Sequence, residues 1–375
     1  MKRLIKVILL LILLSVFVSV LKISACATDY DSYMTEYVEN EVFDSTPDNV
    51  KSLFEKLGIT SIDFDSLFDV TGTEILNVIK TIVTGAIESP TKSMVRVVTV
   101  IIILAVFECF FPDDTKIISL MELAGILFCI ISIIKPISFA ITSGVSSVTV
   151  AEKFMLILIP VLTAVVSASG NPALAVSFQS IAFAAAQIIS AIASKILVPA
   201  VGIVLAMDIS GSIMPRYKLS GLTEMIKKCI TTILSFSATL FVTFLGLKAG
   251  LANSADSVVN KGIKLAISSA VPVVGGALSE AYSGVVGNIS LVKSTVGVFG
   301  IGAIALITLP SCIQLLFWIF ALRISSGIAA LFEQKGIAAL LKSIASSLVL
   351  LNVVIVFVAV LFVISTSLIL VLKAG

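Results

Sequence analysis

From Ser346 to Val371 the chain runs without one charged side chain, and Leu, Val, Ile and Phe fill most of the stretch. Crossing the hydrocarbon of a bilayer takes about 20 predominantly apolar residues in a helix. Comparable stretches lie near 95–111, 117–141, 154–170, 173–193, 196–210, 229–247 and 294–320. A soluble domain is roughly a quarter charged, whereas here 13% of residues are charged and 58% are hydrophobic. No soluble core hides that much apolar surface, but a hydrocarbon solvent accepts it on the outside of a helix. The expected fold is all-α: a polytopic membrane bundle of about six to eight transmembrane helices, with a small exported helical region at its N-terminus. The count turns on Asn171-Pro172 and Lys195, at each of which two spans form either a tight hairpin or one bent helix.

The first 30 residues point to export. Met1-Lys2-Arg3-Leu4-Ile5-Lys6 is basic, Val7 to Leu21 is almost wholly apolar, and Ser24-Ala25-Cys26-Ala27 supplies small residues. A basic start, a short apolar stretch and an A-x-A site make a secretory signal peptide, with the cut after Ala27. An uncleaved signal anchor and a lipidated Cys26 are the other readings, and all three leave the following residues outside the cytoplasm. Those residues are acidic: twelve carboxylates from Asp29 to Glu74 face only Lys51, Lys56 and Lys80. Leu53, Phe54, Leu57, Ile59, Ile62, Phe64, Leu67 and Phe68 are interspersed, which predicts short amphipathic helices broken near Pro47 and Gly58. So short a stretch buries little by itself and is expected to dock on the bundle or on a partner. The organisation expected is a signal peptide over 1–27, an acidic extracytoplasmic region over 28–90 and a multi-span bundle over 91–375.

Several chemistries are disfavoured. The chain has no His, so the commonest general base, the Ser-His and Cys-His pairs and the usual zinc sets are gone. Cys26, Cys109, Cys129, Cys229 and Cys312 show no metal-ligand spacing, and small hydrophobic filler is the plain reading. Asp63 and Asp65 lack the Gly and terminal Glu of a calcium loop. A net charge of +2 gives no basis for nucleic-acid binding. There is no G-x-x-x-x-G-K-[ST], and no paired Asp or H-E-x-x-H inside a span. The expectation is a protein that is not an enzyme, with no catalytic residues, no cofactor, no metal and no nucleic-acid partner, set in the bilayer; a homo-oligomer is left open.

Basic residues in short loops set orientation. With eight spans and the acidic region outside, Arg216, Lys218, Lys227 and Lys228 fall in one cytoplasmic loop, and Arg323, Lys335 and Lys342 in another. Those loops resemble each other: Ala206-Met207-Asp208-Ile209-Ser210 parallels Ala321-Leu322-Arg323-Ile324-Ser325, and the same offset aligns 221–227 with 336–342. Each copy reads as a span, an amphipathic helix at the interface and a second span. Two related halves, as in some transporters, and convergence of interfacial helices both fit.

Polar features at membrane depth supply candidate sites. Residues 268–287 are rich in Gly and Ser and contain Pro272, Gly275, Gly276 and Glu280. They read as an interfacial helical hairpin with small residues for close packing, or as a re-entrant pore element whose broken backbone is satisfied by protein or water. Glu108 and Glu122 lie in spans, where ionisable groups are costly and tend to face partners or water. Lys135 and Lys195 have stems long enough to snorkel.

The block Val271-Pro272-Val273-Val274-Gly275-Gly276-Ala277-Leu278-Ser279, the downstream Val285-Val286-Gly287 and Met207-Asp208-Ile209-Ser210, with the signal, the acidic region and the many spans, resemble stage III sporulation protein AE of endospore-forming Firmicutes. The resemblance implies a mother-cell membrane protein around the forespore. It further implies assembly with other stage III sporulation membrane proteins and a forespore membrane partner into a transenvelope channel likened to a secretion system. An independent secondary transporter with a Gly-rich re-entrant segment is the alternative. The resemblance transfers no site residues, so the pore candidates rest on the residues themselves.

Overall fold

The computed structural model describes residues 42–62, 66–67, 69–110, 115–168, 191–213, 219, 221–241, 243 and 275–371, with 180, 184 and 188 between them. The signal peptide, the acidic residues before 42 and Pro272 lie outside the described residues. The elements are α1 (Asp48–Glu55), α2 (Gly72–Phe110), α3 (Thr115–Ala168), a π-helical turn (Ala193–Leu197) leading into α4 (Val198–Ile213), α5 (221–241), α6 (Gly275–Leu331) and α7 (Lys335–Val371). Five helical stretches among the described residues are long and apolar enough to cross a membrane: Gly72–Phe110, Ser119–Val165, Ala193–Ile213, Thr295–Leu331 and Lys335–Ser367. The chain is therefore an all-α polytopic membrane protein.

Local chemistry sets the helix ends. Thr71 precedes α2, and its backbone N–H donates to Glu74 Oε2 at 2.8 Å, one half of a capping box. After α1, Gly58 sits at φ 76° and lets Ile59 N–H return to the Phe54 carbonyl at 2.9 Å. The α6–α7 turn uses the same device with the wrong residue. Glu333 takes φ 60°, and Gln334 N–H donates to the Ala329 carbonyl at 3.0 Å. Pro90, Pro136, Pro160 and Pro310 stand inside α2, α3 and α6; the surrounding bundle holds these helices continuous where an isolated helix breaks.

Three expectations need correcting. The spans placed at 117–141 and 154–170 are one helix, α3, of 54 residues. Its middle, 142–153, is Thr- and Ser-rich but keeps helical bonding and packs inward at Gly144, Ser147, Val148 and Ala151. The amphipathic segments 221–227 and 336–342 are not separate interfacial helices; they are the opening turns of α5 and α7. The Gly-rich segment is no hairpin from Gly275 onward, because α6 begins there and continues to Leu331. In each case the tertiary bundle overrides the weak local signal for a break.

The core runs along the α3–α6–α7 contact, with Trp318, Phe154, Phe299 and Phe362 the largest fully buried side chains. Gly300 lies so close to Leu158 that an added Cβ would sit 2.5 Å from Leu158 Cδ2, and Gly144 meets Ile355 and Leu315 in the same way. Small residues let helix backbones approach, which matters where lipid offers no hydrophobic drive between helices. The Ser143 and Ser311 hydroxyls meet at 3.5 Å beside Gly144. At the end of the bundle away from the α6–α7 turn, the acidic head docks as expected. Phe54 stacks on Phe299 at 4.6 Å with Phe43 at 6.0 Å, and Val42, Val50, Leu53, Leu57, Ile59 and Ile62 are buried with them.

Candidate functional site

α4 and α5 are consecutive helices that meet through one side-chain pair. Asp208 lies five residues before the end of α4 and Lys227 is the seventh residue of α5. Lys227 Nζ donates to Asp208 Oδ2 at 3.1 Å, and the side chains are only 19% and 6% exposed. The same oxygen accepts Ser347 Oγ of α7 at 2.7 Å. Lys227 Nζ also reaches Ser346 Oγ at 3.3 Å. One ion pair thus ties α4, α5 and α7 together. A charge buried beside lipid persists only when it is paired and hydrogen-bonded, and here each charge has its opposite and a hydroxyl.

A second polar junction holds the α6–α7 turn. Glu122 of α3 accepts the Gly336 N–H through Oε1 at 2.7 Å. This places a carboxylate on the N-terminus of α7, whose first N–H groups lack helical partners and carry partial positive charge. Gly336 is required for that approach, since an added Cβ would lie 2.7 Å from Glu122 Oε1. Buried Gln334 donates through Nε2 to the Ile101 carbonyl of α2 at 3.0 Å, while its Oε1 has no partner.

The residues singled out from sequence divide accordingly. Glu122 is at a junction. Glu108 is half-buried on α2, within electrostatic reach of Glu122 and Glu333. Gly275, Gly276 and Glu280 belong to the first turns of α6; Pro272 is outside the described residues. Lys195 is exposed in the π-helical turn and Lys135 is exposed on α3. Among the described residues no group of His, Cys, Asp or Glu is arranged to hold a metal. Sequence reasoning missed the pairing of Asp208 with Lys227. The available signal was two opposite charges 19 residues apart on consecutive helices. The aligned positions of the second copy are Arg323 and Lys342, both exposed, so the two copies differ where the first is most distinctive.

A family profile described as Stage III sporulation protein AE (spore_III_AE) matches residues 63–373. A curated relative, Stage III sporulation protein AE of Bacillus subtilis (strain 168), is 21% identical over 247 residues, covering 65% of this chain and 62% of that protein. The chain thus spans less than two thirds of that relative's length. No solved structure matches.

Proposed function

The chain belongs to the stage III sporulation protein AE family, and from that premise we propose that it is an integral membrane component of a transenvelope, secretion-like channel complex between mother cell and forespore, needed for forespore development and acting without catalytic chemistry. The observation that carries this reading is the family match along 63–373, which takes in every long helix of the bundle. In this reading its partners are other stage III sporulation membrane proteins and a forespore membrane partner, and it sits in the mother-cell membrane around the forespore.

The two ends of the bundle support an orientation. The acidic head packs at Phe299 of α6, about 50 Å along that helix from the turn at 332–334 at 1.5 Å per residue. Exposed Arg323, Lys335 and Lys342 cluster toward the turn. Lys and Arg favour the cytoplasmic side, so the turn faces the mother-cell cytoplasm and the head lies outside it. Gly275, Gly276 and Glu280, at the start of α6, then lie on the head side; these three and Pro272 are the candidates for lining a passage.

A secondary transporter is the second reading, and the buried Asp208–Lys227 pair is the observation that favours it. The void beside α4, lined by Ile130, Ile133, Ile134, Ile137, Leu205, Ile209 and Ile344, holds about 10 Å³. That is barely one water molecule, in wholly apolar surroundings, and it offers a solute no place. Deleting the gene and following spore yield tests the proposal. A collapse of heat-resistant spores with normal vegetative growth is expected; unchanged yield, with expression during growth, overturns it.

A further inference from the structure

The uncovered apolar side chains of α2 and α3 mark where lipid lies. Phe107 and Phe110 are exposed near the end of α2, and Leu120, Leu127, Phe128, Ile131 and Phe139 continue the belt along α3. Gly125 of α3 sits against both Leu104 of α2 and Ile337 of α7, which sets these three residues at one depth. From that level the belt runs about 9 Å one way to Phe110 and about 21 Å the other way to Phe139, at 1.5 Å per residue. Its height therefore matches a hydrocarbon layer of about 30 Å.

The outward strip of α6 and α7 meets the same layer with opposite chemistry. Lys342 follows Ile337 along α7 by about 8 Å, which leaves it at least about 13 Å from either edge of the belt. Arg323 of α6 is at similar depth, because Ser326 Oγ donates to the Ala338 carbonyl at 2.8 Å. Both cations are exposed, and neither has an anionic partner among the described residues. Neither stem is long enough to carry its charge to an edge of the layer. Between these two residues and the turn, the exposed positions are Gly327, Ala330 and Ala339; Leu331, Phe332, Glu333 and Lys335 are exposed at the turn itself. A Cβ built on Gly327 meets nothing within 4 Å, so the strip is uncovered there. Ionisable groups held at membrane depth face a protein partner or water.

We propose that the strip around Arg323 and Lys342 lines a water-filled recess at mid-membrane depth, entered from the side of the α6–α7 turn and favouring small anions over cations. α3 faces lipid at this depth, while α6 and α7 face water. Arg323, Lys342 and Lys335 outnumber Glu333 along the strip, and low-dielectric walls focus the field of that excess charge. Small anions thereby reach about halfway across the layer. The inference rests on depth and charge alone, whatever complex the chain serves.

The test uses the full-length protein in permeabilised native membranes, with Cys26, Cys109 and Cys229 changed to Ser so that Cys129 and Cys312, both buried, are the native thiols left. Gly327→Cys reports on the strip, and Phe128→Cys reports on the lipid face of α3 at similar depth. The probes are an anionic and a cationic methanethiosulfonate, both membrane-impermeant, with each rate taken relative to a free thiol in solution. They attack the thiolate, which forms in water and not in hydrocarbon. The expected result is that Gly327→Cys reacts with the anionic probe at least ten-fold faster than Phe128→Cys, at equal membrane-inserted protein. A smaller ratio overturns the proposal: two slow thiols mean a dry strip, and two fast ones mean that this end of the bundle lies outside the membrane. At Gly327→Cys the anionic probe is expected to lead the cationic one at least three-fold, and Arg323→Gln/Lys342→Gln to abolish the difference. A weaker preference, or one that survives the double variant, overturns it as well.

Discussion

Replacing Lys227 by Met leaves the Asp208 carboxylate buried with one hydroxyl partner. Removing one member of a buried pair costs about 3–5 kcal/mol, because the remaining charge is uncompensated. Ser347 keeps its bond to Asp208 Oδ2, and the Lys227 side chain is 19% exposed, so the loss falls to about 2–4 kcal/mol. At about 2–4 °C per kcal/mol for a bundle of this size, the melting point drops by roughly 4–16 °C. Asp208→Asn costs less, since Lys227 can turn toward water while Asn still accepts from Ser347. The double variant Asp208→Asn/Lys227→Met carries no buried charge and returns to within about 1 kcal/mol of the parent. A thiol-reactive dye reads this in detergent, because Cys129 and Cys312 are buried and react only on unfolding, once Cys26, Cys109 and Cys229 are changed to Ser. If Lys227→Met melts with the parent, or the double variant melts at the sum of the two single losses, the pair does not hold α4 and α5 to α7.

Other consequences follow from single contacts. Glu333→Gly relieves a left-handed backbone that costs a non-Gly residue about 1 kcal/mol and raises the melting point by a few degrees in the same dye assay. Gly300→Ala drives a methyl into Leu158 and costs about 1–3 kcal/mol, whereas Gly202→Ala, with nothing within 4 Å of the added carbon, is stable; equal melting points would discard the close α3–α6 approach. Phe54→Ala removes the stack on Phe299 and loses about 3 kcal/mol of head docking, seen as faster proteolysis between residues 42 and 70 with the bundle intact. Gly275→Leu or Gly276→Leu lowers spore yield if the start of α6 packs closely or lines a passage, and wild-type yield from both removes those residues from the proposal.

The membrane bundle was legible because hydrophobic length is a property of the chain alone: α4, α6 and α7 all contain spans that composition and periodicity located. The continuity of α3 was not, since Thr142, Ser143, Ser146 and Ser147 look like a loop, yet Thr142 and Ser147 bond carbonyls of their own helix and Ser143 meets Ser311 of α6. Glu122 was legible as a costly carboxylate but not as the cap of α7, because Gly336 is 214 residues away in sequence. Asp208 and Lys227 are close in sequence and opposite in charge, but their pairing depends on how α4 and α5 meet. Gln334, in a turn between two long helices, carries no sequence signal of its own, and its burial against Ile101 depends on where α2 packs.

Purifying the tagged protein from sporulating cells tests the central claim most directly. Co-elution at constant ratio with several other sporulation membrane proteins, lost from vegetative cells, is the predicted result. A protein that elutes alone and drives substrate-dependent flux in reconstituted vesicles contradicts it.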